Sequence, residues 1–266
     1  MIRRVTAVAA VALLVAACSP ASTAERDGRD DDAASARRFT PIIPNLPRQR
    51  IVLMSSLPLV YGAGVDMAGM IAGKALPHPL YSALVQDHDL VVADVLDAKA
   101  VSGARLIILV QPRALMPQEL VALDGFVREG GRLLLFADPQ LEWPAGMGLG
   151  DPTGPLRSTL VSPLLAHWGL ELTDPGIGRV RIAESGAVLV HPGQFGELPG
   201  KSGDASCRIA AEGHVARCAV GQGRAMLVAD ADLLDPELIG VSGESARANR
   251  QMLHDLLHEL DREDTS

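Results

Sequence analysis

The sequence contains 266 residues with a formal net charge of −8; 48% of the residues are hydrophobic and 21% are charged. This balance is typical of a globular protein, so it excludes a fibrous protein and a chain that is disordered throughout. The negative charge and an aromatic content of only 3% argue against a general nucleic-acid-binding protein, which would present a basic surface. Three cysteines are too few for a disulfide-rich scaffold.

The first twenty residues have the pattern of a bacterial secretion signal. Arg3 and Arg4 precede an apolar run over residues 5–17, which is shorter than the roughly 20 residues that span a bilayer. The run ends in Val-Ala-Ala-Cys, which resembles the lipobox of bacterial lipoproteins. We therefore predict a signal peptide over residues 1–17 and lipidation of Cys18. The alternative is an ordinary signal peptide followed by an incidental cysteine.

The next segment has the composition of a linker. Residues 18–49 are rich in Asp, Ala, Ser and Arg and contain several prolines, so we predict a disordered tether between the lipid and the folded part. Residues 50–262 then form a single predicted α/β domain. Ser19 follows the cysteine where Asp would favour inner-membrane retention, which favours the outer membrane. The expected location is the cell envelope, lipid-anchored and facing the periplasm.

The folded part begins with alternating strand and helix patterns. Apolar runs that end at turn residues predict strands at 51–55, 90–95 and 105–110, and short helices at 65–73 and 79–87. Pro117 then opens a helix with an apolar face, and Gly130-Gly131 ends it before a strand at 132–137. A strand, a helix and a strand in about 30 residues make a βαβ unit. We predict a mostly parallel open sheet flanked by helices, of the flavodoxin-like or amidotransferase-like kind.

The remaining elements are shorter until the last helix. The sequence predicts a helix at 158–168, short β segments within 179–229, a strand at 225–229 and a closing helix at 246–260.

Cys207 and Cys218 are equally distant from Glu212-Gly213. A β-hairpin that turns there through a two- or four-residue loop places the cysteines opposite each other, with Cβ atoms about 4.5–5.5 Å apart. We predict a disulfide in this hairpin insertion near 205–220, since an oxidising periplasm permits one. The alternatives are two free thiols or a metal pair. With Cys18 lipidated and the other two paired, no cysteine is left as a nucleophile.

The sequence offers few motifs for catalysis. It contains neither a Gly-x-Ser-x-Gly elbow nor a Walker A loop. Asp138, Asp230 and Asp232 come at or just after the carboxyl ends of predicted strands, where open parallel sheets place a ligand crevice. Together they could hold a hard cation or a basic group. The alternative is that they cap helices and form turns.

Two histidines have the spacing of metal ligands on a helix. His254 and His258 are separated by one helical turn, as in the His-Glu-x-x-His motif of zinc proteins, but Asp255 replaces the Glu. The alternative is a solvated helix face. The other histidines (His78, His88, His167, His191 and His214) are far apart in the sequence, and we predict no constellation from them and no cofactor.

Residues 106–139 carry a family resemblance. They contain a strand ending in Pro112, a helix with Pro-Gln-Glu-Leu near its start, and the run Gly-Gly-Arg-Leu-Leu-Leu-Phe-Ala-Asp-Pro. This pattern resembles auxiliary components of uncharacterised ABC-type transport systems, the group that includes the protein associated with the gliding-motility ABC transporter. Residues 221–232 and Asn249 match later parts of the pattern. The resemblance implies a class I glutamine-amidotransferase-like fold without the catalytic cysteine, on the extracytoplasmic side of an exporter.

These observations favour a non-enzymatic lipoprotein that binds a ligand or a partner. The expected partners are the membrane, through the lipid, and the permease and ATPase of an ABC-type transporter. One alternative is a metal-dependent periplasmic hydrolase that uses the three aspartates or the histidine pair. Another is a structural lipoprotein of the envelope.

Overall fold

The structure is a computed structural model that describes residues 44, 47–62, 67–72, 76–143, 154–198, 205–240 and 242–262. The predicted signal peptide, Cys18 and most of the predicted tether lie outside these residues. Among the described residues, no helix combines the length and the apolar character that crossing a membrane requires.

Eleven strands are formed within the described residues. They are β1 (Arg50–Ser55), β2 (Asp89–Val92), β3 (Leu106–Val110), β4 (Arg132–Phe136), β5 (Leu170–Thr173), β6 (Arg179–Arg181), β7 (Val188–Val190), β8 (Gln194–Glu197), β9 (Ala205–Ala210), β10 (Val215–Val220) and β11 (Gly223–Val228). Seven of them form the central sheet in the order β2-β1-β3-β4-β11-β10-β9. The first five in that order are mutually parallel, and β10 pairs antiparallel with both of its neighbours, β11 and β9. The prediction of a mostly parallel α/β sheet is confirmed.

The helices of the described residues are α1 (Met67–Ile71), α2 (Pro79–Asp87), α3 (Ala98–Val101), α4 (Pro117–Arg128), α5 (Ser162–His167), α6 (Pro236–Ile239) and α7 (Glu244–Asp261). The predicted bounds of α2 are confirmed. The prediction that α5 begins at residue 158 was wrong, because Thr159 is held in an extended loop by its N–H bond to the Asp138 carbonyl. The strand predicted over 90–95 ends at Val92, and Val95 is exposed. The four-residue helices α3 and α6 are too short to give a periodic pattern.

The sheet has an apolar core on each face. Every residue of β3 and of β4 is buried, as expected for parallel strands covered on both sides. One face packs against α2 and α7, with Leu84 and Leu253 in the core. The other packs against α4 and α5, with Leu123 and Trp168 in the core. Continuous apolar runs in the sequence reflect this double burial.

Helix α7 connects the two edges of the sheet. We call the edge at which β1, β3, β4 and β11 end the carboxyl edge, and the edge at which they begin the amino edge. Near its start, Asn249 donates a hydrogen bond to the carbonyl of Leu233, just after β11. At its end, Asp261 pairs with Arg132, the first residue of β4.

The predicted hairpin is present at the outer side of the central sheet. Residues 211–214 form a four-residue loop between β9 and β10, and Cys207 pairs directly with Cys218 in the strand register. The two cysteines form a disulfide. Ala211, Glu212 and Gly213 all have positive φ, which explains why a glycine is placed at this turn. The hairpin extends the central sheet, because β10 also pairs with β11.

Candidate functional site

Three buried aspartates meet at the carboxyl edge. Phe136 and Val228 are paired in the register of β4 and β11, so Asp138 and Asp230, each two residues further on, leave the two strands at equivalent positions. Asp232 begins a 3-10 turn that follows β11. All three side chains are buried, and each offers a carboxylate oxygen that lies within 4.8 Å of the others. We call these residues the aspartate cluster.

Every carboxylate oxygen of the cluster accepts a backbone N–H. The distances are 2.5–2.9 Å, and the donors are Gln140 and Ala231 for Asp138, Val190 and Leu233 for Asp230, and Glu142 and Trp143 for Asp232. The bonds to Gln140 and Leu233 are local turn contacts, as the turn-forming alternative supposes. The other four join segments that are distant in sequence, so the cluster fastens the loop after β4 and strand β7 to the end of β11.

Burial strongly disfavours the ionised form of these side chains. It raises the pKa of Asp138 to about 7 and that of Asp232 to about 6. For Asp230, burial and then the charge of Asp138 raise the pKa well above its usual value. The backbone N–H groups oppose this rise without cancelling it. The cluster therefore retains protons near neutral pH.

The chemistry open to the cluster follows from its oxygens. A carboxylate oxygen that accepts one N–H keeps a second lone pair, and hard cations such as Mg²⁺ and Ca²⁺ bind oxygen ligands. A cation would replace the retained protons as the source of neutralising charge. In its protonated form the cluster holds the loops together through hydrogen bonds.

Sequence reasoning missed two further polar residues of this site. His191 Nε2 lies 3.1 Å from Glu142 Oε1. The neighbours of this pair bind the cluster: the N–H of Glu142 donates to Asp232 and that of Val190 donates to Asp230. This contact is a single, partly exposed ion pair, so the prediction that His191 belongs to no constellation stays a prediction. The two residues are far apart in sequence and meet only because loops pack at the carboxyl edge, so no spacing signals them.

His191 and Gln111 both have backbone strain. Their φ values are 47° and 42°, a region that non-glycine residues rarely adopt and that costs about 1–3 kcal/mol. Gln111 follows β3, beside β1, where the strand order reverses and open α/β sheets usually bind ligands. Its buried side chain reaches the backbone of Asp138. Strain and polar side chains are thus concentrated at the carboxyl edge.

His78 has a structural role beside the cluster. Its Nδ1 accepts the N–H of Leu80, and its Nε2 lies 2.6 Å from the carbonyl of Leu234. Its ring packs 5.8 Å from that of Trp143. Burial lowers the pKa of His78 to about 4, so the ring is neutral and donates from Nε2.

The histidine pair of α7 lies apart from the aspartates. The rings of His254 and His258 are nearly parallel, with centroids 6.3 Å apart, and His254 Nδ1 lies 3.4 Å from Asp255 Oδ1. In the described part of the chain, the one group of three or more His, Cys, Asp or Glu side chains spaced for a metal is the aspartate cluster. Within the described residues, no third His, Cys, Asp or Glu side chain lies close enough to complete a metal site with His254 and His258.

Comparison with solved structures gives distant similarities. The exo-beta-1,4-mannosidase Op5Man5 from Opitutaceae bacterium strain TAV5 is 14% identical with a TM-score of 0.42, over 82% of this chain and 37% of the mannosidase. The mmIFT52 N-terminal domain is 13% identical with a TM-score of 0.45, over 81% and 99%. The cytoplasmic protein STM1381 from Salmonella typhimurium LT2 is 14% identical with a TM-score of 0.43, over 80% and 100%. These values are too low to support an argument about function.

The sequence comparisons are more specific. No curated protein matches the chain. Residues 48–177, a little under half of the chain, match the model of a family described as "ABC-type uncharacterized transport system". The matched region includes β1 to β4 and the first aspartate of the cluster. The match supports the resemblance found in the sequence, and it indicates that the chain is related to the auxiliary components of ABC-type transport systems.

Proposed function

We propose that the protein is a lipid-anchored, non-enzymatic accessory component of an ABC-type transport system, which binds its partner on the extracytoplasmic side. The family match over residues 48–177 carries this proposal. The lipobox-like sequence at Cys18 supplies the anchor, and Ser19 favours the outer membrane. The protein then needs no transmembrane helix of its own, because the covalent lipid holds it at the membrane.

The partner-binding surface is the carboxyl edge around Glu142 and His191. Both side chains are accessible, at 56% and 30% exposure, while the cluster beneath them is buried. The hydrogen bonds of the cluster fix the loop that carries Glu142 and the strand that precedes His191. A rigid surface loses less conformational entropy when a partner binds.

A non-enzymatic role is supported by the way in which the aspartates are used. A general base or nucleophile must have an oxygen directed at the substrate. Here all six oxygens accept backbone N–H groups beneath the surface. We also propose that the fold is glutamine-amidotransferase-like, as the gliding-motility-associated group implies. The residue that follows β3, where the strand order reverses, is Gln111 and not a cysteine.

Crosslinking in native membranes tests the proposed partner. The tagged full chain should recover an ATPase and a permease of the ABC type. His191→Ala with Glu142→Ala should reduce recovery at least fivefold, while His254→Ala with Asp255→Ala removes a similar exposed pair on α7 and should not. Recovery of envelope proteins without transporter subunits would favour a structural lipoprotein instead. Incorporation of labelled palmitate that is lost in Cys18→Ser tests the anchor.

A metal-dependent hydrolase is the second candidate, and the spacing of the aspartate cluster favours it. Isothermal titration with Mg²⁺, Mn²⁺, Ca²⁺ and Zn²⁺ tests it directly. Micromolar binding that disappears in Asp232→Asn, with hydrolysis that depends on the same ion, would establish the hydrolase. Binding too weak to measure would remove it.

A further inference from the structure

The amino edge of the sheet carries a row of arginines on four adjacent strands. Arg50, Arg105, Arg132 and Arg224 belong to or directly precede β1, β3, β4 and β11. The N–H of Arg105 donates to the carbonyl of Arg50, the N–H of Arg132 donates to that of Arg105, and Arg132 is paired with Arg224 in the register. Adjacent strands are about 4.8 Å apart, so this row concentrates positive charge along one edge.

Nearby carboxylates neutralise this charge only in part. Asp261 pairs with Arg132, and Asp89 lies 3.5 Å from Arg50. Asp87 and Glu129 are also exposed near this edge. Against these four acids stand the four arginines of the row together with Arg48 and Arg262. Among the described residues, this edge therefore has six arginines against four acids; Glu263 and Asp264, which follow Arg262 in the sequence, lie outside them.

Three of these arginines are free to bind an anion. Arg48, Arg105 and Arg262 are exposed, and within the described residues their guanidinium groups make no hydrogen bond or ion pair. Arg262 is close to the row, because its carbonyl accepts a hydrogen bond from Arg224. A guanidinium group matches the geometry of a phosphate with two parallel N–H donors.

Some buried nitrogen atoms at the same edge lack hydrogen-bond partners within the described residues. His88, which directly precedes β2, is 2% exposed, and neither of its ring nitrogens has a partner in the described part of the chain. The Nε atom of Arg50 is likewise buried without a partner there. Of these atoms, the Nε–H of Arg50 is a donor in every ionisation state, and an anion at this edge can supply its acceptor.

A groove lined by both polar and apolar groups, Glu129 among them, opens beside the row. It has a volume of about 660 Å³ and lies between α3 and α4, with Val101, Val121 and Phe126 beside Arg105. Val121 is 73% exposed. Surfaces that bind at a bilayer interface combine basic groups for phosphates with apolar groups for the boundary of the acyl chains. This combination distinguishes a phospholipid surface from a site for free phosphate.

The course of the chain points to the same occupant. The described chain enters the sheet at Arg50, so the predicted tether from Cys18 joins the domain at the amino edge. A linker with the length of residues 18–49 would have an end-to-end distance of about 30 Å, so the proposed anchor would keep this edge within that distance of the bilayer. We infer that the amino edge is a docking surface for the anionic phospholipid membrane that holds the lipid anchor. This inference rests on the anchoring in the proposed function, and it leaves the carboxyl edge facing away from the membrane.

Vesicle binding tests the inference without the lipid or the transporter. Residues 18–266 with Cys18→Ser are the processed chain without acylation, and they retain every described element. This chain should cosediment with vesicles of phosphatidylglycerol and phosphatidylcholine but not with phosphatidylcholine alone, and 0.5 M salt should release it. Arg105→Gln with Arg262→Gln should weaken binding by about fivefold for each arginine.

The matched control removes two arginines from the other edge. Arg179 and Arg247 are exposed, and they lie on β6 and in the first turn of α7. Arg179→Gln with Arg247→Gln should leave vesicle binding unchanged within twofold. Equal losses in both double variants, or equal binding to neutral vesicles, would overturn the inference. Displacement by 10 mM inorganic phosphate at constant ionic strength would also overturn it, in favour of a free-phosphate site. Circular dichroism of each variant establishes that it is folded.

The vesicle-binding experiment and the transporter-recovery experiment can succeed or fail independently of each other. Vesicle binding without transporter recovery would retain the docking surface and reject the transporter partner. Transporter recovery without vesicle binding would do the reverse. Binding only to membranes that contain the transporter would assign the amino edge to a protein partner and overturn the docking surface.

Discussion

Gln111 and Asp138 are joined by two hydrogen bonds that close a ring. The N–H of Asp138 donates to Gln111 Oε1 at 2.9 Å, and Gln111 Nε2 donates to the carbonyl of Asp138 at 3.0 Å. The side-chain amide thus pairs with a peptide group as a neighbouring strand would. It continues the contact between β3 and β4 beyond the end of both strands, and so it supports the loop that begins at the aspartate cluster.

Removal of this amide should destabilise the fold. Gln111→Ala leaves the buried N–H of Asp138 without an acceptor, removes one of the two donors to its carbonyl (the other is the N–H of Thr159), and keeps an L-residue at a φ of 42°. We expect the free energy of unfolding to fall by about 2–4 kcal/mol, measured by urea denaturation. Gln118→Ala, at an exposed position in the first turn of α4, is the control and should change it by less than about 0.5 kcal/mol. Equal effects would contradict the role assigned to Gln111.

The aspartate cluster should make stability depend on pH. The pKa of Asp138 is about 7 in the folded protein, whereas an aspartate in the unfolded chain has its ordinary value of 3.8. Between these two pH values the folded state therefore binds more protons than the unfolded state. The contribution of Asp138 to stability is complete below about pH 4 and is lost as the pH rises through 7. In Asp138→Asn this contribution is absent, and one backbone N–H loses its acceptor.

The difference between the wild type and Asp138→Asn isolates this effect, because other titrating groups are common to both. We expect the wild type to be more stable at pH 5 and the difference to narrow steadily up to pH 8. Urea denaturation at each pH measures it. Asp94→Asn, at an exposed position, is the control and should change the free energy of unfolding by less than about 0.5 kcal/mol. A gap for Asp138→Asn that widens with pH would contradict the raised pKa.

Removal or protonation of the Glu119 carboxylate should strongly lower the free energy of unfolding. This carboxylate binds the Arg113 guanidinium with both oxygens and accepts the N–H groups of Leu96 and Met116. The hydrogen bonds from Arg113 are the main reason that its pKa falls to about 2. Its stabilising effect is therefore present above about pH 4.5 and is lost as the pH falls towards 2.

Glu119→Ala should lower the free energy of unfolding at pH 7 by about 3 kcal/mol, because the buried N–H of Leu96 and the partly buried N–H of Met116 lose their acceptor and Arg113 loses its ion pair. Thermal and urea denaturation measure the loss. Glu129→Ala removes an exposed carboxylate at the end of the same helix and should cost far less. If the two variants were equally stable, the bonds of Glu119 would carry little energy.

The disulfide between Cys207 and Cys218 closes a loop with a sequence separation of 11. Loop-closure entropy predicts that Cys207→Ser with Cys218→Ser costs about 3 kcal/mol. Denaturation with and without reductant gives the value, and thiol titration of the unreduced, unfolded chain should detect neither cysteine. Ser206→Ala, at the neighbouring exposed position, is the control. No effect of reductant on the wild type would show that the bridge does not form.

The sequence was most informative where burial leaves a simple pattern. Strands β3 and β4 are buried on both faces, so they appear as unbroken apolar runs that could be located from the sequence. Because parallel strands end at the same edge, Asp138 and Asp230 could be expected to lie together. The pairing of Cys207 with Cys218 followed from the period of a hairpin, and its four-residue loop was one of the two lengths predicted.

The remaining parts of the site depend on how loops pack. Glu142 and His191 lie in segments without periodicity, and their contact results from hydrogen bonds between the cluster and the backbone. The strain at Gln111 has no counterpart in composition, since glutamine carries no preference for positive φ. Local patterns therefore predicted the strands and their ends, while long-range contacts determine which polar side chains meet there.

The hairpin has a consequence for aggregation. Strand β9 is the outermost strand on its side of the sheet, and an outermost strand can recruit a strand from another molecule. The disulfide to β10 keeps β9 attached to the sheet, so that β10 does not become a second unpaired edge. The exposed Arg208 places a positive charge on β9. Formation of the disulfide would thus make one outermost strand of the sheet more resistant to self-association.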